Sequence, residues 1–127
     1  MFQIDLMSRI PIYEQLIEQA EQLILAGILP PGTQLPSVRS LSVQLAVNPN
    51  TVQKAYTELD RRGLIVSATG RGCFVREDVS RRFDFRKQEA LERLIAAAQD
   101  LSALGMSREE IVQALIGARK EKGEPDL

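Results

Sequence analysis

The chain contains no histidine. The commonest general base and the commonest nitrogen ligand for metals are therefore missing. Cys73 is the only cysteine, so an intrachain disulfide is excluded, and zinc or iron–sulfur sites built on Cys and His clusters lack their ligands. Among strand-forming residues, Cys73 reads as a small buried hydrophobe. No Walker loop, Gly-x-Ser-x-Gly elbow or His-Glu-x-x-His helix occurs. Carboxylates are present, but none are paired for acid–base work. An enzyme is not expected, and no cofactor or metal is implied. No apolar run approaches the roughly 18–20 residues of a membrane span. The start of the chain lacks the basic-then-apolar pattern of a secretory signal, so the expected compartment is the cytoplasm. What remains is 127 residues, 44% of them hydrophobic, which suits one compact domain with a short attachment.

Net charge is −1, yet its distribution is uneven. Between Ser37 and Arg76 the basic residues are Arg39, Lys54, Arg61, Arg62, Arg71 and Arg76, against only Glu58 and Asp60. The stretch 77–127 is acidic on balance. A basic middle and an acidic remainder fit one DNA-facing surface on an otherwise ordinary protein.

Residues 1–10 carry no strong pattern and read as an extended arm. Pro11 is suited to a helix start, and Ile12, Leu16, Ala20, Leu23 and Ile24 follow at helical spacing. Gly27 and Pro30-Pro31-Gly32 end that helix. Ser37 is placed to cap a second helix with Val38, Leu41 and Leu45 inward, and Asn48-Pro49 starts a third that buries Val52, Ala55, Tyr56 and Leu59. Gly63 ends it. Leu64–Ser67 and Cys73–Arg76 flank a glycine-containing turn and predict a two-stranded hairpin, which must pack on the helices to be stable. Residues 77–83 are polar and read as a linker. A helix is expected from about Asp84 to Leu104, and another after Ser107, whose spacing to Glu110 is that of a capping box. The segment 119–127 is charged and is expected to fray.

This order predicts a mainly α fold: a winged helix-turn-helix over 1–76, then two C-terminal helices over 84–118. Helical geometry puts Asn50, Lys54, Thr57 and Arg61 opposite the buried stripe of the third helix, with Thr51 and Gln53 on its flanks. Asn and Gln can pair with adenine, and Lys reaches guanine or phosphate, so Asn50, Gln53 and Lys54 are candidates for base or near-base contacts. Asn48 and Thr51 suit phosphates near the helix start. Arg39 lies in the first turn of a helix, where the dipole disfavours a cation and a nearby phosphate or base edge would explain it. Arg71 sits between two glycines and could enter a minor groove. Arg61 and Arg62 are expected to make distant phosphate contacts or none. The same features could belong to a winged-helix module that binds a protein, although such a groove need not be basic.

The segment Pro11–Val75, with PIYEQL, the stretch GILPPGTQLPSVRSLSVQLAVNPNTVQKAYTELDRRGLI, and GRGCFV, resembles the DNA-binding domain of the GntR family of bacterial regulators. The opening FQID, VNPNTVQKAY and the short C-terminal part are similar to its YtrA subfamily. The resemblance implies a DNA operator as partner. It implies DNA contacts at Arg39 of the LPS-x-R segment, at Asn50, Thr51 and Gln53, and at Arg71 and Gly72 of the wing; Ser37 is a further DNA-contact candidate. Many members carry arginines in and just after the turn, where this chain has Pro49 and Gln53, so the base preference of other members does not transfer.

Two amphipathic helices cannot enclose a core without a partner surface. The stripe of Leu91, Leu94, Ile95, Ala98 and Leu101, with Ile111, Val112, Leu115 and Ile116, is therefore expected to form a homodimer, as the resemblance also implies. A dimer implies an inverted-repeat operator. A small-molecule effector could bind at such an interface, but no residue set announces one.

Overall fold

The computed structural model of the chain describes residues 1–121. Its elements are α1 (Ile12–Leu25), α2 (Val38–Leu45), α3 (Pro49–Arg61), β1 (Ile65–Ala68), β2 (Gly72–Val75), α4 (Val79–Ala103) and α5 (Arg108–Glu121). They fall into two units, Met1–Phe85 and Arg86–Leu127.

In the first unit, α1 follows Pro11 and turns Leu16, Ile17, Ala20 and Ile24 into the core, together with Gln15. A polar side chain in that face needs partners. The Gln15 amide oxygen accepts from the Asp5 N–H at 2.9 Å, and its amide nitrogen donates to the carbonyls of Asp5 at 3.1 Å and Ile10 at 2.8 Å. Gln19, one turn on, pairs with the backbone of Gln3 in the same way. The arm, featureless as a sequence, is thus sewn to α1, and Phe2 and Ile4 pack against the core.

The helix-turn-helix is set by its caps. The Ser37 hydroxyl accepts from the Ser40 N–H at 3.0 Å and starts α2. Ala46 ends α2 in the left-handed region, at φ 55° and ψ 43°. The Asn48 side chain then accepts from the Asn50 N–H at 2.8 Å, and Pro49 takes the first helical position of α3. Val52, Ala55, Tyr56 and Leu59 are buried as their spacing predicts. The Tyr56 hydroxyl donates to the Pro36 carbonyl at 2.7 Å, which ties α3 to the approach to α2. Burial, and secondarily nearby Cys73, pushes that phenol well above its ordinary pKa.

The hairpin pairs Ile65 with Val75 through Ala68 with Gly72, one residue off the expected strand bounds. It does not stand by itself. The Leu35 N–H donates to the Cys73 carbonyl, and the Val75 N–H to the Thr33 carbonyl, both at 2.8 Å. The segment after Gly32 therefore extends the sheet edge.

The expected linker at 77–83 is corrected: α4 begins at Val79, not at Asp84. Val79 is 3% exposed within the core, and Phe83, one turn later, packs against it. Two apolar residues four apart anchor the first turn, while the polar residues between them obscured it in the sequence. Arg82 also lies over Gly63, where φ is 78° and an added Cβ would sit 2.8 Å from its Nε.

In the second unit, α5 starts at the predicted capping box. The Ser107 N–H donates to Glu110 at 3.1 Å, and the Glu110 N–H donates to the Ser107 hydroxyl at 3.2 Å. Leu94, Ala98 and Leu101 of α4 and Ile111 and Leu115 of α5 line one apolar hollow of about 140 Å³. Leu91, Leu94, Ile95, Leu101, Val112 and Leu115 nonetheless remain 38–48% exposed. Ala98, Ile111 and Ile116 are half-buried. Helix α5 runs on through Glu121, past the expected boundary at 118. The remainder of the expected tail, 122–127, lies outside the described residues.

Candidate nucleic-acid interface

The polar face of α3 is a ridge between two troughs. One trough, about 830 Å³, lies between Asn50, Gln53, Lys54 and Thr57 on α3 and Tyr13, Glu14 and Glu18 on α1. The other, about 380 Å³, separates Gln53, Thr57 and Arg61 from Val38 of α2 and from Ser67 and Cys73 of the hairpin. Asn48, Asn50, Gln53, Lys54, Thr57 and Arg61 are exposed and Thr51 is half-buried. A helix flanked by troughs is accessible to a duplex, whose major groove is about 12 Å wide.

Basic charge on this surface is less available than the sequence suggests. The Arg61 guanidinium is bound to Glu58, its neighbour one turn back. Arg62 bridges Glu21 at 2.8 Å and Glu58 at 3.1 Å, and Arg76 pairs with Asp78 at 2.8 Å. Hydrogen bonds from Arg61, then Arg62, hold the Glu58 carboxyl down to about 2. Arg76 likewise lowers Asp78. Three cations remain. Arg39 on α2 and Arg71 at the hairpin tip are exposed, and their guanidinium groups have no ion pair among the described residues. The Lys54 ammonium lies 3.8 Å from the centroid of the Tyr13 ring.

Of the sequence-derived set, Asn50, Gln53 and Lys54 share one trough with α1, and Gln53 also lines the trough between α3, α2 and the hairpin. Ser37 and Asn48 use their side chains as helix caps. The Asn50 amide has no hydrogen-bond partner among the described residues, whereas Gln53 donates to the Thr57 hydroxyl at 3.2 Å. Gly72 holds φ at 104°, and the Gln34 amide donates to the Arg71 carbonyl at 2.8 Å, bracing the wing tip from outside the hairpin. Cys73 is half-buried, with its sulfur 3.4 Å from the Ser67 hydroxyl. The contacts of Tyr13 and Gln34 escaped the sequence reading because their partners, Lys54 and Arg71, lie some forty residues away. Among the described residues no cluster of acidic or Cys side chains is placed to hold a metal ion, and no helix is long and apolar enough to cross a membrane.

Residues 12–75 match the model of the bacterial regulatory proteins, gntR family. The chain is similar to the HTH-type transcriptional repressor YtrA of Bacillus subtilis, 53% identical over 78 residues, which are 61% of this chain and 60% of the repressor. Among solved structures, YtrA from Sulfolobus acidocaldarius, a GntR-family transcription factor, superposes with a TM-score of 0.64 at 36% identity, over 94% of this chain and 97% of that one. The DNA-binding domain of AraR in complex with operator ORX1 superposes with a TM-score of 0.52 at 31% identity, over 57% of this chain and 90% of that one. With its helix-turn-helix and wing inside the matched span, this chain belongs to the gntR family of bacterial regulatory proteins.

Proposed function

We propose that the chain is a sequence-specific DNA-binding repressor of transcription, acting as a homodimer on an inverted-repeat operator in the cytoplasm. The observation that carries this reading is the exposed polar ridge of α3 between two troughs, in a unit where the exposed Arg39 and Arg71 have no ion pair among the described residues. A helix presented by its N-terminal end, braced by the helix before it, is the geometry that reads the major groove. Asn50 and Gln53 read base edges, Gln53 after releasing Thr57. Asn48, Thr51 and Ser37 lie at helix starts, where backbone N–H groups and the helix dipole receive phosphates. Arg71, with Gly72 letting the backbone approach closely, enters a minor groove. A repressor role follows the name of the YtrA relative, and operator binding follows the AraR complex. The half-exposed stripe from Leu91 to Ile116 supports the dimer, since apolar side chains on a short helical pair gain from a second copy.

The test is a selection of bound duplexes from a random-sequence pool, followed by gel-shift titration of variants. An inverted repeat should be enriched. Arg39→Ala and Asn50→Ala should each weaken binding by about 1–3 kcal/mol without loss of fold. Unchanged affinity in both variants, or a salt-insensitive protein complex with no DNA retention, would overturn the reading.

A further inference from the structure

The trough between α1 and α3 has two unlike walls. The α1 wall carries Glu14 and Glu18, and the Tyr13 hydroxyl, which donates to the Glu14 carboxylate at 3.2 Å. With no cation set in front of it, that wall would repel a phosphate. The opposite wall offers Lys54, whose exposed ammonium does not project straight off α3 but rests over the Tyr13 ring. The negative face of an aromatic ring attracts a cation, and an unbranched four-carbon stem otherwise samples many rotamers.

We propose that Tyr13 is a positioning residue of the DNA-binding surface: it holds Lys54 at the α1 edge of α3, where Lys54 meets a phosphate and leaves base reading to Asn50 and Gln53. This differs from the sequence expectation, which placed Lys54 among the base readers. It rests on the assignment of α3 as the reading helix and adds a residue from a different element to that interface. Holding the ammonium in place before docking reduces the side-chain ordering that binding otherwise requires. The ring, not its hydroxyl, is the part that acts.

The experiment measures the affinity of the full chain for the enriched duplex and for a scrambled duplex of equal length, across a salt series. Lys54→Met should weaken both duplexes by the same factor and reduce the log–log salt slope by about 0.9 per bound subunit. Tyr13→Leu, which retains bulk in a half-buried position, should lose about two- to five-fold in affinity. It should cost nothing more in the Lys54→Met background, and Tyr13→Phe should bind as the unaltered chain does. Equal losses from Tyr13→Leu in both backgrounds, wild-type binding by that variant, or a Lys54→Met effect confined to the enriched duplex would each overturn the proposal. Lys54→Met leaves the core untouched, so the phosphate role stays testable if Tyr13→Leu does not fold. Asn50→Ala separates the two levels. If it leaves the preference for the enriched duplex intact, the reading helix itself is wrong. If it abolishes that preference while Tyr13 and Lys54 act independently, only the present proposal fails.

Discussion

Single residues bear unequal shares of the helix-turn-helix. Ala46 is the only non-glycine residue among those described with a positive φ, 55°, and it stands at the turn between α2 and α3. Left-handed backbone costs a residue with a Cβ about 1–2 kcal/mol, part of which glycine returns through its freer unfolded chain. Ala46→Gly should therefore raise stability by about 0.5–1 kcal/mol, read from the urea unfolding midpoint, with operator affinity unchanged. Tyr56→Phe should do the reverse. It strips the part-buried Pro36 carbonyl of its donor, at a cost of about 1 kcal/mol in the same measurement. Glu58 sets a pH dependence. Its carboxyl is held at about 2 against an ordinary 4.5, so its contribution is complete above pH 4.5 and is lost as pH falls toward 2. Glu58→Gln should flatten the unfolding curve against pH within that window; an unchanged acid limb would show that the arginine pairs do not contribute.

At the scale of elements, caps and buried stripes were legible because each is local. Ser37, Asn48 and the Ser107–Glu110 box announced helix starts, and the four inward residues of α3 followed from spacing within one helix. The start of α4 was not legible. Val79 and Phe83 are isolated among Ser80, Arg81 and Arg82, and they become a helical face only once a core lies beneath them. The arm was opaque for a related reason: what holds it is the pair Gln15 and Gln19, whose role depends on partners beyond their own helix. The candidate interface divided in the same way. Exposure of Asn50 and Gln53 followed from periodicity, but the neutralisation of Arg61, Arg62 and Arg76 required knowing which carboxylates come near. Ser107→Ala should destabilise α5 by about 1 kcal/mol, seen as faster amide exchange in its first turn.

For the molecule as a whole, the proposed assembly is tested by a chain ending at Phe85, which keeps Val79 and Phe83 with their core. It should sediment as a folded monomer and lose much of its operator affinity; a truncated chain that stays dimeric would move the interface into the first unit. With roughly 6–8 phosphate contacts in a dimer, log K should fall with log salt at a slope of about −5 to −7. The brace of Gln34 on the Arg71 carbonyl has a consequence for the thermodynamics of docking. A hairpin tip already stilled by its own protein enters the groove with little conformational entropy left to lose. Titration calorimetry should therefore show Gln34→Ala binding with a larger entropic penalty, offset in part by a more favourable enthalpy, while the loop's backbone amides relax faster in the unbound chain.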